Sequence, residues 1–180
     1  SLPQPPMETF EVKRGLVKQV NADGGLTALA NNYFENIEST EENSFEASFG
    51  ILAKVSGHYN EKGKLIVDVE QMKGSELSDL LSSDGGREKA MESRQRWSGF
   101  LDDATGYSAK QRGDKAKESA KKVSKAKSAI TQARHFMDMS DVEESLAQQA
   151  EELIMEIEEA LEKGDNSRAA GRGEKLGKLF

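Results

Sequence analysis

Hydrophobic and polar residues alternate in three stretches of the first half of the chain, and this alternation is typical of half-buried β-strands. The first stretch, TFEVKRGLV, places Phe10, Val12 and Leu16 among polar neighbours. The other two are SFEASFGILAKVSGHY and KLIVDVEQM, and the turn-forming NEKG between them is typical of a hairpin. The pattern therefore predicts a small antiparallel sheet.

Helical spacing occurs between and after these strands. The stretch NADGGLTALANNYFENI predicts one helix with Asp23 as its N-cap and Ile37 at the end of its apolar face. A short helical pattern in GSELSDLLSSDGG ends at the break Asp84–Gly86, and the longer helix after it is predicted to pack Trp97 on the sheet. Residues 8–105 are thus predicted to form an α+β domain, a small antiparallel sheet packed by helices.

The second half of the chain has a heptad-like pattern. Ser108 and Gln111 match a capping box, and the following spacing alternates between four and three residues, as along a coiled-coil seam. Ser140 and Glu143 form a second box before another apolar stripe. The residues of the first predicted seam are Ala116, Ala120, Val123, Lys127, Ile130, Arg134 and Met137.

These patterns divide the chain into four parts. Residues 1–7, which contain SLPQPP, are expected to be a disordered leader, with Met7 as the native start. The α+β domain at 8–105 is followed by a helical αα-hairpin at 106–164, and the loss of periodicity at 165–180 predicts a flexible basic tail.

Composition restricts the classes of protein that fit. Of the 180 residues, 36% are hydrophobic, 6% aromatic and 32% charged, and no apolar run reaches the roughly 18 residues of a membrane span. The sequence has no cysteine, so disulfides, thiolate catalysis and sulfur-ligated zinc are excluded. Because no signal-type hydrophobic segment is present, we expect a cytoplasmic protein without a membrane partner.

The net charge of -7 conceals a strong segregation of charge. From residue 110 to 134 there are nine Lys or Arg against two acidic residues, whereas from 138 to 162 there are ten Asp or Glu and no Lys or Arg. Like charges one turn apart destabilise a helix. If the chain reverses near Met139, Lys117–Lys127 would face Glu151–Glu162, and this pairing is the main explanation that we predict for the cations.

Nucleic-acid binding is the alternative explanation for the cations. Exposed Arg112, Lys115, Lys122 and Arg172 could contact phosphates and give weak, salt-sensitive binding without sequence preference. The negative net charge and the absence of aromatic residues between Ser108 and His135 disfavour this alternative.

Candidate catalytic residues are few. His58 and His135 lack the spacing of metal-binding or nucleophilic motifs, and adjacent Asp102 and Asp103 would point in different directions on a helix. No catalytic, cofactor-binding or metal-binding residue and no cofactor is therefore predicted. An enzyme of unrecognised type is the third hypothesis, with a ligand pocket between the sheet and the Trp97 helix.

The segments FEVKRGLVKQV, GGLTALANNYF, EASFG and especially FLDDATGYSAKQR resemble a small uncharacterised archaeal α+β family, known chiefly from methanogens. The resemblance covers about residues 8–122. It implies a mixed α+β fold and an archaeal cytoplasmic origin. The family has no established activity, so the resemblance implies no site residue.

Together these features predict a non-enzymatic interaction or scaffold protein that self-associates as a homodimer or binds another protein. The apolar stripe of the second hairpin helix exceeds what an alanine-rich partner helix can cover, so the stripe is the predicted interaction surface. Its residues are Val142, Leu146, Leu153, Ile157 and Leu161.

Overall fold

The computed structural model describes residues 7–41 and 43–180. The predicted leader, apart from Met7, lies outside the described residues. The chain forms two compact units that divide after Gly113, later than the boundary predicted at residue 105. We call the part before the division unit 1 and the part from Asp114 to Phe180 unit 2.

Unit 1 contains a five-stranded antiparallel sheet with the order β1-β5-β4-β3-β2. The strands are β1 (Glu8–Phe10), β2 (Glu35–Glu41), β3 (Ser44–Phe49), β4 (Leu52–Tyr59) and β5 (Leu65–Gln71). The prediction of an antiparallel sheet and of the β4–β5 hairpin is confirmed. The predicted first strand is shorter than expected, because a helix begins before its pattern ends.

Alternate residues of the central strands are buried on one face of the sheet, as the sequence alternation predicts. Phe45 and Val55 lie in the core with 1% and 0% exposure, while Ser56 and His58 are on the opposite face. Gly57 is needed in the core row because a Cβ atom there would lie 2.9 Å from the Phe45 ring.

Four helices cover the inner face or flank it: α1 (Leu16–Ala22), α2 (Gly25–Asn31), α3 (Gly74–Ser82) and α4 (Gly86–Thr105). The prediction of α4 is confirmed.

The single helix predicted from Asp23 to Ile37 is wrong at both ends. Its N-cap is Gly24, with φ of 106°, rather than Asp23, and no side chain caps its first turn. Ile37, predicted to end its apolar face, belongs to β2. The positive φ values at Gly24 and Gly25 break the helical path, so α1 and α2 form separately.

An aromatic cluster forms the centre of the unit 1 core. Phe100 of α4 is completely buried, and its ring centre lies 5.2 Å from those of Phe34 and Phe45 and 5.8 Å from that of Trp97. The predicted packing of Trp97 against the domain is therefore confirmed.

Unit 2 is built from α5 (Ala109–Met139), which begins before the division, α6 (Glu144–Glu162) and α7 (Asn166–Gly177). The first predicted capping box is confirmed, because the Ser108 and Gln111 side chains each accept the other residue's backbone N–H. The second box is wrong, because α6 begins after Glu143 and has no side-chain cap.

Helix α7 occupies the region predicted to be a flexible tail. Its N-cap Asp165 accepts a hydrogen bond from the Arg168 backbone N–H, and Leu176 is completely buried. Three glycines weaken the helical signal, yet Gly173 has a packing role: a Cβ atom there would lie 3.3 Å from both Ala126 Cα and Ala129 Cβ. The glycine permits a close crossing of α5 and α7 that the sequence pattern did not indicate.

The buried face of α5 differs from the predicted seam. Ala126 and Ala133 are buried, at 0% and 3% exposure, whereas Lys127 and Arg134 are exposed. Of the predicted seam, Ile130 and Met137 do pack against the unit 2 core. Because α5 packs against two helices rather than one, its fully buried residues are the small Ala126 and Ala133 rather than the charged seam positions.

Candidate functional site

The segment FLDDATGYSAKQR forms the corner between α4 and α5, and a buried cation stabilises it. Arg112 is 8% exposed, and its guanidinium donates 2.6 Å hydrogen bonds to the Asp102 carboxylate and the Tyr107 carbonyl oxygen. The guanidinium carbon lies 5.9 Å from the centre of the Phe10 ring, which permits a cation–π interaction. The predicted phosphate contact at Arg112 is wrong, because the side chain is shielded from solvent and paired.

The other three predicted phosphate contacts remain partly exposed but have acidic neighbours. Lys115 and Lys122 extend their ammonium groups to within 3.8 and 3.3 Å of the Glu118 carboxylate, and Lys122 also donates to the Ser167 hydroxyl over 3.0 Å. Arg172 Nε lies 2.9 Å from Glu156. A role for these three in binding phosphate stays a prediction.

The predicted facing of the two charged clusters is wrong. Among the described residues, no ion pair joins Lys117–Lys127 to α6. Lys125 instead lies 3.7 Å from Glu174 of α7, while Arg134 contacts Glu151 of α6 at 3.1 Å. The reason is that α7, which the sequence did not predict, lies beside α5 and supplies partners for both of the other helices.

Helix α7 also changes the predicted interaction surface. Leu153 and Ile157 have exposures of 7% and 0% and pack in the core of unit 2. Val142, Leu146 and Leu161 are half-buried. The prediction is therefore wrong for Leu153 and Ile157, because a third helix completes the core that a two-helix hairpin would leave open.

An open groove lies between α5 and α7 and has a volume of about 490 Å³. At one end the rings of Phe136 and Phe180 pack with their centres 4.8 Å apart, although 42% and 36% of these residues remain exposed. We call this region the α5–α7 groove. Its further lining residues are Lys125, Ser128, Ala129, Gln132, Ala133, Gly173, Glu174 and Gly177.

A cavity of about 350 Å³ lies beside Trp97 in unit 1, where the sequence predicted a ligand pocket. Glu8 and Arg94 are the charged residues among the lining that the structure describes, and that lining includes no histidine or nucleophile. The cavity wall therefore lacks an acid–base or nucleophile–base pair of the kind that catalysis requires.

The two histidines lie apart from these cavities. His58 is on the outer face of β4, opposite Ser44 and Ile66 of the neighbouring strands, and His135 is exposed on α5. Within residues 7–41 and 43–180, no group of three or more His, Cys, Asp or Glu side chains is arranged to hold a metal ion.

The aspartate pair at the end of α4 has two separate partners. Asp102 accepts the hydrogen bond from Arg112, whereas Asp103 accepts one from the Tyr33 hydroxyl. Burial, followed by the hydrogen bond and the negative charge of Asp103, raises the pKa of Tyr33 to about 12. Burial also raises the pKa of Tyr59, whose hydroxyl donates to the Ala104 carbonyl oxygen over 2.6 Å.

The raised pKa of Tyr33 leads to a testable titration. Its stabilising effect is present below the unfolded-state value of about 10 and is lost as the pH rises through about 12. We expect Tyr33→Phe to remove a phenolate absorbance transition near pH 12 from the folded protein. A transition near pH 10 that disappears in this variant would contradict the Tyr33–Asp103 hydrogen bond.

With an antiparallel sheet packed by helices and a following helical unit, the chain is an α+β protein. The model of one family, described as a domain of unknown function (DUF5611), matches residues 7–118. Because this match covers more than half of the chain, the protein belongs to that family. No curated protein and no solved structure matches the chain. None of the described helices is both long enough and apolar enough to cross a membrane.

Proposed function

We propose that the protein is a non-enzymatic interaction module that self-associates through the α5–α7 groove. The observation that carries this proposal is the exposed Phe136–Phe180 ring pair at the end of an open groove. Aromatic residues are enriched at the energetic centres of protein interfaces, where partially exposed rings become buried on association.

The charges at the groove favour a second copy of the chain as the occupant. Lys125 and Lys178 lie 3.7 and 3.8 Å from the Glu174 carboxylate. All three side chains are more than half exposed, so these contacts contribute little within one molecule. A two-fold interface places the same patch on both sides and therefore needs both signs of charge within it. Lys125 of one copy can then pair with Glu174 of the other.

The small residues of the groove fit the same geometry. The groove is lined in part by Ala129, Ala133 and Gly177. Residues this small let a helix of a second copy approach closely. The Phe136 and Phe180 rings would then pack against the matching rings of the other copy. This arrangement buries the exposed aromatic surface without placing an unpaired charge at its centre.

We further propose that this module acts in the cytoplasm of an archaeon. The support is the family resemblance of residues 8–122 and the cysteine-free sequence, which suits a reducing compartment.

The test is the mass of the protein in solution. We expect sedimentation equilibrium to show a monomer–dimer equilibrium between micromolar and millimolar concentration. Phe136→Glu should weaken dimerisation by about thirtyfold, because an aromatic residue that becomes buried in an interface can contribute about 2 kcal/mol or more.

A matched control separates the groove from a general effect of added charge. Met155 is 70% exposed on α6 and does not line the groove, so Met155→Glu should leave the dimerisation constant within about twofold. Circular dichroism should show both variants to be folded. A monomeric wild type over the whole range, or equal loss in both variants, would refute the proposal.

A further inference from the structure

A second surface, in unit 1, has a charge pattern that the groove does not use. A depression of about 650 Å³ lies beside the start of α1. Its charged lining residues are Lys13, Arg14, Lys18 and Lys62, and no Asp or Glu is among the lining residues. All four basic residues are exposed. We call this region the basic depression.

The fold brings these cations together from two distant parts of the sequence. Lys62 lies in the β4–β5 turn, where the Asn60 side-chain oxygen accepts the backbone N–H groups of Lys62 and Lys64 over 3.0 and 2.9 Å. The Lys64 ammonium group in turn lies 2.6 Å from the Glu11 carboxylate. This partly buried ion pair holds the turn beside the segment that carries Lys13.

The other side of the depression is held by the end of α4. The Lys13 backbone N–H donates a 2.8 Å hydrogen bond to the Thr105 carbonyl oxygen. A Cβ atom on Gly106 would lie 2.9 Å from Lys13 Cβ, so the absence of a side chain at Gly106 permits this close packing. The backbone at Lys13 is therefore fixed, while its ammonium group remains exposed to solvent.

The concentration of positive charge contrasts with the rest of unit 1. Residues 1–113 contain 13 Lys or Arg and 18 Asp or Glu, a net charge of 13 − 18 = −5. Despite this excess of carboxylates, none of the four cations of the basic depression forms an ion pair within the part of the chain that the structure describes. Four like charges at one surface repel one another, and a bound anion would remove that repulsion.

We infer that the basic depression binds a row of phosphate groups, with a nucleic-acid backbone as their source. The cations are exposed and carried on flexible side chains, which suits contact with several backbone phosphates and not with bases. The lining has no aromatic residue for base stacking, so binding is expected to be independent of base sequence. Free oligophosphate has the same charged groups and is the other source.

The first experiment measures binding of a labelled single-stranded RNA of mixed sequence as a function of salt. Neutralising four phosphates on a single strand gives a log–log slope of about −2.8, so affinity should fall about fiftyfold between about 50 and 200 mM salt. The double variant Lys18→Gln/Lys62→Gln should reduce that fall to about sevenfold. Unlabelled inorganic tripolyphosphate should displace the RNA from the wild type.

A matched variant tests whether the effect belongs to the basic depression. Lys117, Lys121 and Lys127 are exposed on α5 and have no ion-pair partner among the described residues, so replacing all three with glutamine removes similar charges from unit 2. The log–log salt slope of this triple variant should differ from that of the wild type by no more than the contribution of about one phosphate. Because every substituted side chain is exposed, thermal unfolding should show that both variants fold like the wild type.

The outcomes distinguish the sources of phosphate. If tripolyphosphate displaces the RNA only when its phosphate groups are in large excess over those of the RNA, the result supports a nucleic-acid strand. If it displaces the RNA when its phosphate groups are fewer than those of the RNA, the result supports a free oligophosphate. Absence of salt-dependent RNA binding and of tripolyphosphate binding would overturn the inference. Loss of binding in the α5 triple variant, with none in the double variant, would also overturn it.

Discussion

Phe100→Ala is expected to lower the free energy of unfolding of unit 1 by about 3–5 kcal/mol, the usual range for truncating a buried phenylalanine. The Phe100 ring is completely buried and lies 5.2 Å from both Phe34 and Phe45. These neighbours belong to β3 and the segment before β2, so the resulting cavity would weaken the contact between α4 and the sheet.

Urea unfolding followed by Trp97 fluorescence measures this loss. Trp97 is the single tryptophan of the chain and its ring centre lies 5.8 Å from that of Phe100, so the signal reports on unit 1. Met91 is on the same helix but is 58% exposed, and Met91→Ala should cost no more than about 0.5 kcal/mol. Similar losses in the two variants would show that α4 does not pack as described.

Leu176→Ala is expected to lower the free energy of unfolding of unit 2 by about 2–5 kcal/mol. Leu176 is completely buried in the core that α5, α6 and α7 share. Far-ultraviolet circular dichroism during urea unfolding measures the change. The neighbouring Lys175 is exposed, so Lys175→Ala should have little effect. If Leu176→Ala were as mild as this control, residues 165–180 would be the flexible tail that their composition indicates.

Much of unit 1 could be predicted because its signals are local. Alternation along β4 and β5 and the intervening turn identify a hairpin, and apolar spacing identifies α4 around Trp97. Helix α1 was not predicted, and the helix predicted after Asp23 extended too far because Leu26, Phe34 and Ile37 keep a helical spacing beyond Asn31, where α2 ends. Positive φ at Gly24 separates α1 from α2, and hydrophobic periodicity does not report it.

Unit 2 was harder to predict because its packing depends on small residues. Ala126, Ala133 and Ala169 lie in the core, and alanine gives a weak periodic signal. Gly173 appeared to break a helix, whereas it permits close contact with α5. The apolar residues Leu176 and Phe180 were visible in the sequence, but the helix that carries them toward α5 was not.

The candidate surfaces join residues that are far apart in sequence. Phe136 and Phe180 meet only because α7 lies along α5, and Lys62 reaches the neighbourhood of Lys13 only through the β4–β5 turn. The charge segregation of α5 was apparent from the sequence, but its interpretation was wrong at Arg112, which is buried and paired. Charge along a helix does not by itself indicate which side chains face solvent.

Disulfide trapping tests the central claim, self-association through the α5–α7 groove, most directly. The chain has no cysteine, so each single-cysteine variant carries one thiol. Ser128, Gln132 and Gly177 line the groove, and we expect Ser128→Cys, Gln132→Cys or Gly177→Cys to form a covalent dimer at least about tenfold faster than Met155→Cys under mild oxidation. Met155 is 70% exposed on α6, so its thiol would be accessible without facing the groove. Equal rates at all four positions, or faster dimerisation through Met155→Cys, would contradict self-association through the α5–α7 groove.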